Sequence, residues 1–171
     1  MASKTTMKAA TINLGYGISS REAAIDAVYR FTQGLDNSDE ALIRSAFTTD
    51  AVIDRSGLKS VIGFEFPGLE GLESIVSDVL STIGPMDTGH HVSNARVEMS
   101  ENEEEAQVTC YVLAQHYRPG EGCDPAKKIH LLIGNHYKAN VVRDQKDELW
   151  KIKRMEFSSL WSDGDLSVLG M

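Results

Sequence analysis

The chain changes its period at Gly84-Pro85. Before that point Leu72, Ile75, Val76, Val79, Leu80 and Ile83 fall three and four residues apart. This is the stripe of an amphipathic helix, and in a water-soluble protein it has to be buried. Gly84 and Pro85 stop the helix, because proline brings no N–H and glycine favours the turn. After it, apolar and polar residues alternate, which predicts strands at about 88–99, 106–117, 128–142 and 148–157. The turns between them are ENEEE (Glu101 to Glu105), PGEGCDP (Pro119 to Pro125) and RDQKDE (Arg143 to Glu148). Strands joined in sequence by such turns form an antiparallel meander.

The upstream half is helical. Ser19-x-x-Glu22 is a capping box, and Ile25, Val28, Thr32 and Leu35 lie on one face of the helix it opens. Gly34 and Asn37 mark its expected end, and Asn37 or Ser38 is expected to cap a second helix, with Leu42, Ile43, Ala46 and Phe47 on its apolar side. Ala51 to Asp54 reads as a short strand. Val61 to Phe66 reads either as its hairpin partner or as an irregular flap. Helices first and a meander after predict an α+β domain, with three N-terminal helices packed across a curved sheet and enclosing a pocket. The predicted boundaries are a polar arm over 1–18, one domain over 19–163 and a C-terminal tail over 164–171.

With 17 Lys and Arg against 25 Asp and Glu, the formal charge is −8. That balance, without a basic stripe, speaks against nucleic acid and anionic membrane surfaces as partners. No apolar run reaches the length of a bilayer span, and the N-terminus has no signal-peptide core, so a cytoplasmic location is expected. Cys110 and Cys123 make no disulfide framework, and Cys110 sits in an apolar strand pattern as a small buried hydrophobe.

His90 and His91 stand side by side in TGHHVSN, so on a strand they point to opposite faces and do not share one ion. His130 and His136 share a face, but six residues of strand separate them by roughly 20 Å. Neither a metal-ligand spacing nor a glycine-rich phosphate loop is present, and no metal or cofactor is expected. With the turn centred near Glu103, His90 and His116 are expected to pair across the hairpin. His116 shares parity with Val108, Cys110, Val112 and Ala114, so it is either a hydrogen-bonded core residue or a site residue.

These phrases together resemble the SnoaL-like branch of the NTF2-like superfamily, over about residues 19–163. The resemblance is carried by YRFTQGLDNSDEALIRSAFTTDAVID (Tyr29 to Asp54), TGHHVSNARVE (Thr88 to Glu98), YVLAQHY (Tyr111 to Tyr117) and LWKIKRMEFSSLW (Leu149 to Trp161). It implies a cone-shaped α+β fold around a pocket for a hydrophobic small molecule. Within this branch the chain is similar to the scytalone dehydratase family. That family's aspartate after the first helix falls on Asp36, its catalytic histidine on His90 and its second histidine on His116. Its two substrate-polarising tyrosines fall on Leu35 and Arg55, and its pocket asparagine near Ile133, with Asn135 two residues on. The similarity therefore implies His90 as a base, Asp36 as its orienting partner and His116 as a second acid–base or hydrogen-bonding group. Arg55 is implied as an inward-facing oxyanion stabiliser, against the alternative of a surface arginine paired with Asp54 or Asp50. Trp161, with Phe157 and Leu160, either closes the pocket mouth or simply packs. The implied chemistry is dehydration, isomerisation or cyclisation of a polyketide- or terpenoid-like molecule. The alternative is a non-catalytic binding or assembly module of the same fold. A homodimer is implied by resemblance alone.

Overall fold

The computed structural model describes residues 12–170; most of the N-terminal arm expected over 1–18 lies outside the described residues. Helix α1 (Ser20–Asn37) starts at the expected capping box, with Ser19 accepting from the Glu22 N–H and the Glu22 carboxylate accepting from the Ser19 N–H at 2.8 Å. It ends at Asn37, the later of the two expected markers, and runs through Gly34. A Cβ on Gly34 would lie 2.6 Å from Ile43 Cγ1, so this glycine exists to let α2 (Glu40–Ala46) approach α1. The cap of α2 is Asp39, whose carboxylate accepts from the Leu42 N–H at 3.0 Å, rather than Asn37 or Ser38. Asn37 is still helical and Ser38 is the left-handed C-cap of α1.

Strand β1 (Phe47–Gly57) follows, then a one-turn helix α3 (Lys59–Ile62), strand β2 (Leu69–Glu70) and helix α4 (Leu72–Thr82). The segment 61–66 is thus not a strand. Its first residues complete α3, and the hairpin partner of β1 is the short β2 beyond it. Counting α3, four helices precede the meander instead of three. On α4, Ile75, Val76 and Val79 are buried, and Leu72, Leu80 and Ile83 pack partly buried against the same core, as the stripe requires.

The meander comprises β3 (Asp87–Met99), β4 (Glu105–Tyr117), β5 (Leu131–Arg143) and β6 (Trp150–Gly164). The sheet order is β2-β1-β6-β5-β4-β3, antiparallel except for the parallel pair β1–β6. The helices lie against one face of this curved sheet. Phe31 meets Phe47 edge-on at 5.0 Å in the main core between them. Arg30, 3 % exposed, ties α1 to α2 and β6 by bonding Asp26, the Ser45 carbonyl and the Trp150 carbonyl. A second apolar cluster of Ile62, Leu131, Ile133 and Val168 closes the far end. Residues after 163 join it: Asp165 caps a 3-10 turn (Leu166–Leu169) that buries Val168. Among the described residues, no helix is long and apolar enough to cross a membrane.

Candidate active site

Between helices and sheet lies a cavity of about 470 Å³. Its apolar wall includes Phe31, Leu35, Ile53, Val79, Ile133 and Phe157, and its polar groups include Arg55, Asp78, His90, His116, Asn135 and Tyr137. A wider depression of about 700 Å³ on the outer face, between Asp50, Gln107, Asn140 and Arg154, is open to solvent. It holds no comparably fixed acid–base pair.

Asp36 sits on the last turn of α1 and grips the start of β3. One carboxylate oxygen accepts from Thr88 Oγ1 at 2.8 Å and meets His90 Nδ1 at 2.6 Å; the other accepts from the His90 N–H at 2.9 Å. Burial opposes the charged carboxylate, but the bonds from the His90 ring and backbone and from Thr88 outweigh it and hold its pKa below the usual range. An ionised carboxylate only accepts, so Nδ1 of His90 carries the proton and Nε2 is the free nitrogen. The His90 side chain is 4 % exposed.

His116 shares the cavity, but not through the expected pairing. His90 lies opposite Ala114, and His116 opposite Thr88. The turn is centred half a residue earlier than expected, which slips the pairing by one residue, and a bulge between Ser93 and Arg96, with Asn94 at φ 52, slips it by one more. Two single-residue displacements restore the face, so the imidazoles still meet on the diagonal, edge to face at 5.6 Å. His116 Nδ1 donates to the Leu131 carbonyl at 3.3 Å. Burial first, and the neighbouring His90 second, push its pKa down to about 4. It is a neutral imidazole at physiological pH.

Arg55 faces the cavity, and Asp54 faces out to Arg154. The partner of Arg55 is neither Asp54 nor Asp50. It is Asp78 on α4, at 2.7 Å from Nη1, while Nε donates to the Pro67 carbonyl at 2.8 Å and the Phe66 ring lies 5.6 Å away. Sequence reasoning did not find Asp78, because a polar residue on a helix flank reads as solvated. It also passed over Tyr137 as a site residue and placed Asn135 only beside the family's asparagine. Both were signalled by parity, as polar residues on the inward face of β5 that Ile133, Ala139 and Val141 otherwise make apolar.

The other candidates fall elsewhere. His91 is exposed on the outer face. His136 meets Tyr111 there edge-on, and His130 is half-buried ahead of β5. Trp161 does not close the mouth. Strand β6 runs on past it, and its ring covers Gly134 on the outer face, where a Cβ would lie 2.3 Å from Trp161 Cε2. Phe157 does line the cavity, and Leu160 is exposed. Cys110 is buried, and burial pushes its thiol up to about 11, so it is inert. Among the described residues, no three His, Cys, Asp or Glu side chains are grouped to hold a metal.

The fold and the Asp36–His90 pair can now be set beside known proteins. The SnoaL-like domain family matches residues 17–156. The chain belongs to this SnoaL-like family. A Penicillium crustosum protein named terrestric acid biosynthesis cluster protein E is 40% identical over 159 residues, covering 93% of this chain and 95% of that one. A solved structure from Novosphingobium aromaticivorans, provisionally named a scytalone dehydratase, superimposes with TM-score 0.66 at 22% identity, over 83% of this chain and 85% of that one. Another from the same organism, provisionally named an aromatic ring hydroxylase, reaches TM-score 0.70 at 24% identity over 88% and 96%. These structures share the fold of the SnoaL-like chain, with the cavity described above in its interior.

Proposed function

We propose that this SnoaL-like protein catalyses a proton-transfer reaction, without a cofactor, on a hydrophobic polyketide- or terpenoid-like molecule. The observation that carries the reading is the Asp36–His90 pair. It is a buried imidazole with Nδ1 locked on a carboxylate and Nε2 left free in an apolar cavity. That is the arrangement of a general base, with Asp36 fixing the tautomer and compensating the charge that forms. His90 Nε2 removes a proton from the carbon beside a carbonyl, and the C–H electron pair becomes that of an enolate. Returning the proton to another carbon is isomerisation. Expelling a β-hydroxyl with that proton as water is dehydration. Attack of the enolate carbon on a second carbonyl, with the proton passing to the new alkoxide, is cyclisation.

His116, held neutral, hydrogen-bonds substrate or relays the proton. Arg55 gives Nε to Pro67 and one N–H of each Nη to Asp78, whose charge offsets its own, so it is the weaker oxyanion stabiliser and shapes the polar end of the cavity. The Penicillium relative, named for a biosynthesis cluster, supports a place in secondary metabolism.

The test uses β-tetralone, an enolisable bicyclic ketone that fits the cavity volume. In deuterated buffer the protein should accelerate exchange of its α-protons, followed by NMR, and His90→Ala should abolish the acceleration. Exchange at the buffer rate, or undiminished exchange in His90→Ala, would leave a non-catalytic binding module as the better reading.

A further inference from the structure

An enolate needs a hydrogen-bond donor as much as it needs a base, because charge develops on its oxygen. Most groups that could donate around the cavity already hold a protein partner. Arg55 is engaged by Pro67 and Asp78. Ser81 and Thr82 donate to the Asp78 carbonyl at 3.0 and 2.8 Å. Asn135 accepts from Ser159 at 2.9 Å and turns its Nδ2 toward the Ile133 carbonyl at 3.4 Å. His90 and His116 use their Nδ1 protons on Asp36 and Leu131.

Tyr137 is different. It is 6 % exposed and lines the cavity, and among the described residues its hydroxyl makes no hydrogen bond. The oxygen is not among the fully buried polar atoms that lack a partner, so it keeps surface open to the cavity, where a ligand can reach it. The ring is held in place. It stacks on Phe157 at 4.4 Å, and Phe157 stacks on Phe31 at 6.2 Å. Burial, then Cys110, then Asp36 push the hydroxyl well above the usual tyrosine range, so it keeps its proton and serves as a donor. Tyr137 lines the same cavity as His90 and His116.

We infer that Tyr137 is the oxyanion donor of this site, its hydroxyl holding the carbonyl oxygen of a ketone substrate while His90 removes the adjacent proton. The inference rests on the acid–base reading above and supplies its missing half. The C–H bond breaks, its electrons form the enolate double bond, and the carbonyl π pair moves to oxygen. That oxygen stays hydrogen-bonded to Tyr137, and the proton stays on His90 Nε2. The ionised Asp36 carboxylate bound to His90 disfavours a substrate already anionic. The ligand class is therefore a neutral, enolisable ketone that becomes anionic only during reaction.

The probe is β-naphthol, a neutral bicyclic phenol whose oxygen, on ionising in the site, imitates an enolate and whose fluorescence reports both binding and ionisation. Tyr137→Phe should weaken its binding at least about tenfold, the scale of losing a hydrogen bond to a charged group. Tyr111→Phe, on the outer face, should bind as the parent does. Thermal melting of Tyr137→Phe should not fall, since the hydroxyl it loses has no protein partner. Affinity within twofold of the parent, or no binding by the parent, overturns the inference. If the phenylalanine variant does not fold, carbon-13 labelling of the tyrosine ring carbon bearing oxygen gives the same answer in the parent. A buried tyrosine resonance must move on adding β-naphthol, and a static spectrum overturns the inference. The two readings separate cleanly. Equal naphthol binding together with lost tetralone exchange in His90→Ala removes the donor and keeps the base. Tenfold weaker binding with exchange intact in His90→Ala keeps the donor and removes the base.

Discussion

Acidification should weaken this fold through one residue, His116. In the folded protein its pKa is pushed down from 6.5 to about 4, by burial and by His90. The groups around it are His90 on β3, Asp36 on α1 and the Leu131 carbonyl on β5, the last two pulling the other way. A base whose folded pKa is depressed binds fewer protons folded than unfolded between the two values. Stability is then complete above the unfolded pKa and is lost as pH falls from 6.5 toward 4. Going from pH 7 to pH 5 protonates most unfolded His116 but little of the folded form, which costs about 2 kcal/mol. The assay is urea denaturation at both pH values, on the parent and on His116→Leu. The parent should lose about 2 kcal/mol more than the variant. Equal losses in both would refute the argument, because the pH dependence would then arise elsewhere.

Other outcomes follow from the same geometry. Asp36→Asn and His90→Ala should each slow turnover, His90→Ala by at least about a hundredfold, and the double variant should be little worse than either, since the pair acts as a unit; steady-state rates decide this, with His91→Ala as the outward-facing control. Gly34→Ala should cost about 1–3 kcal/mol in denaturant melts, because its methyl must displace Ile43 on α2. Removing one member of the part-buried Arg55–Asp78 pair should destabilise more than replacing both with leucine, measured as a double-mutant cycle; a double variant as unstable as the sum of the singles would count against it.

The parts of the fold that were legible are those where periodicity is long. The α4 stripe and the four alternating strands leave no choice of element, and the helix-to-strand switch at Gly84-Pro85 implies the layered architecture. The region from Gly57 to Gly71 was not legible. There a four-residue helix, an irregular stretch and a two-residue strand follow each other, each too short to show a period. In the site, Asp36 and His90 are in contact and Arg55 turns inward, and the strand parity of His90 and His91 was read correctly. The His90–His116 register was not, because a bulge at Asn94 has no strong signature of its own. Asp78 escaped because its partner is far away in sequence, and Tyr137 because an aromatic on an inward strand face reads as packing. Both belong to the tertiary level, where a residue's role depends on what is left without a partner.

The bulge in β3 has a consequence for how such a hairpin tolerates change in length. Two one-residue offsets, at the turn and at Asn94, cancel in their effect on facing. The hairpin therefore behaves like a reading frame. An insertion or deletion between His90 and the ENEEE turn, if left alone, would turn the imidazole outward and bring His91 in, with strand pairing preserved. The result would be a folded protein with an occupied cavity wall and no proton acceptor held by Asp36. A second indel nearby would restore the frame. Length changes in this hairpin should thus arise in compensated pairs, and the turn and the bulge should vary together.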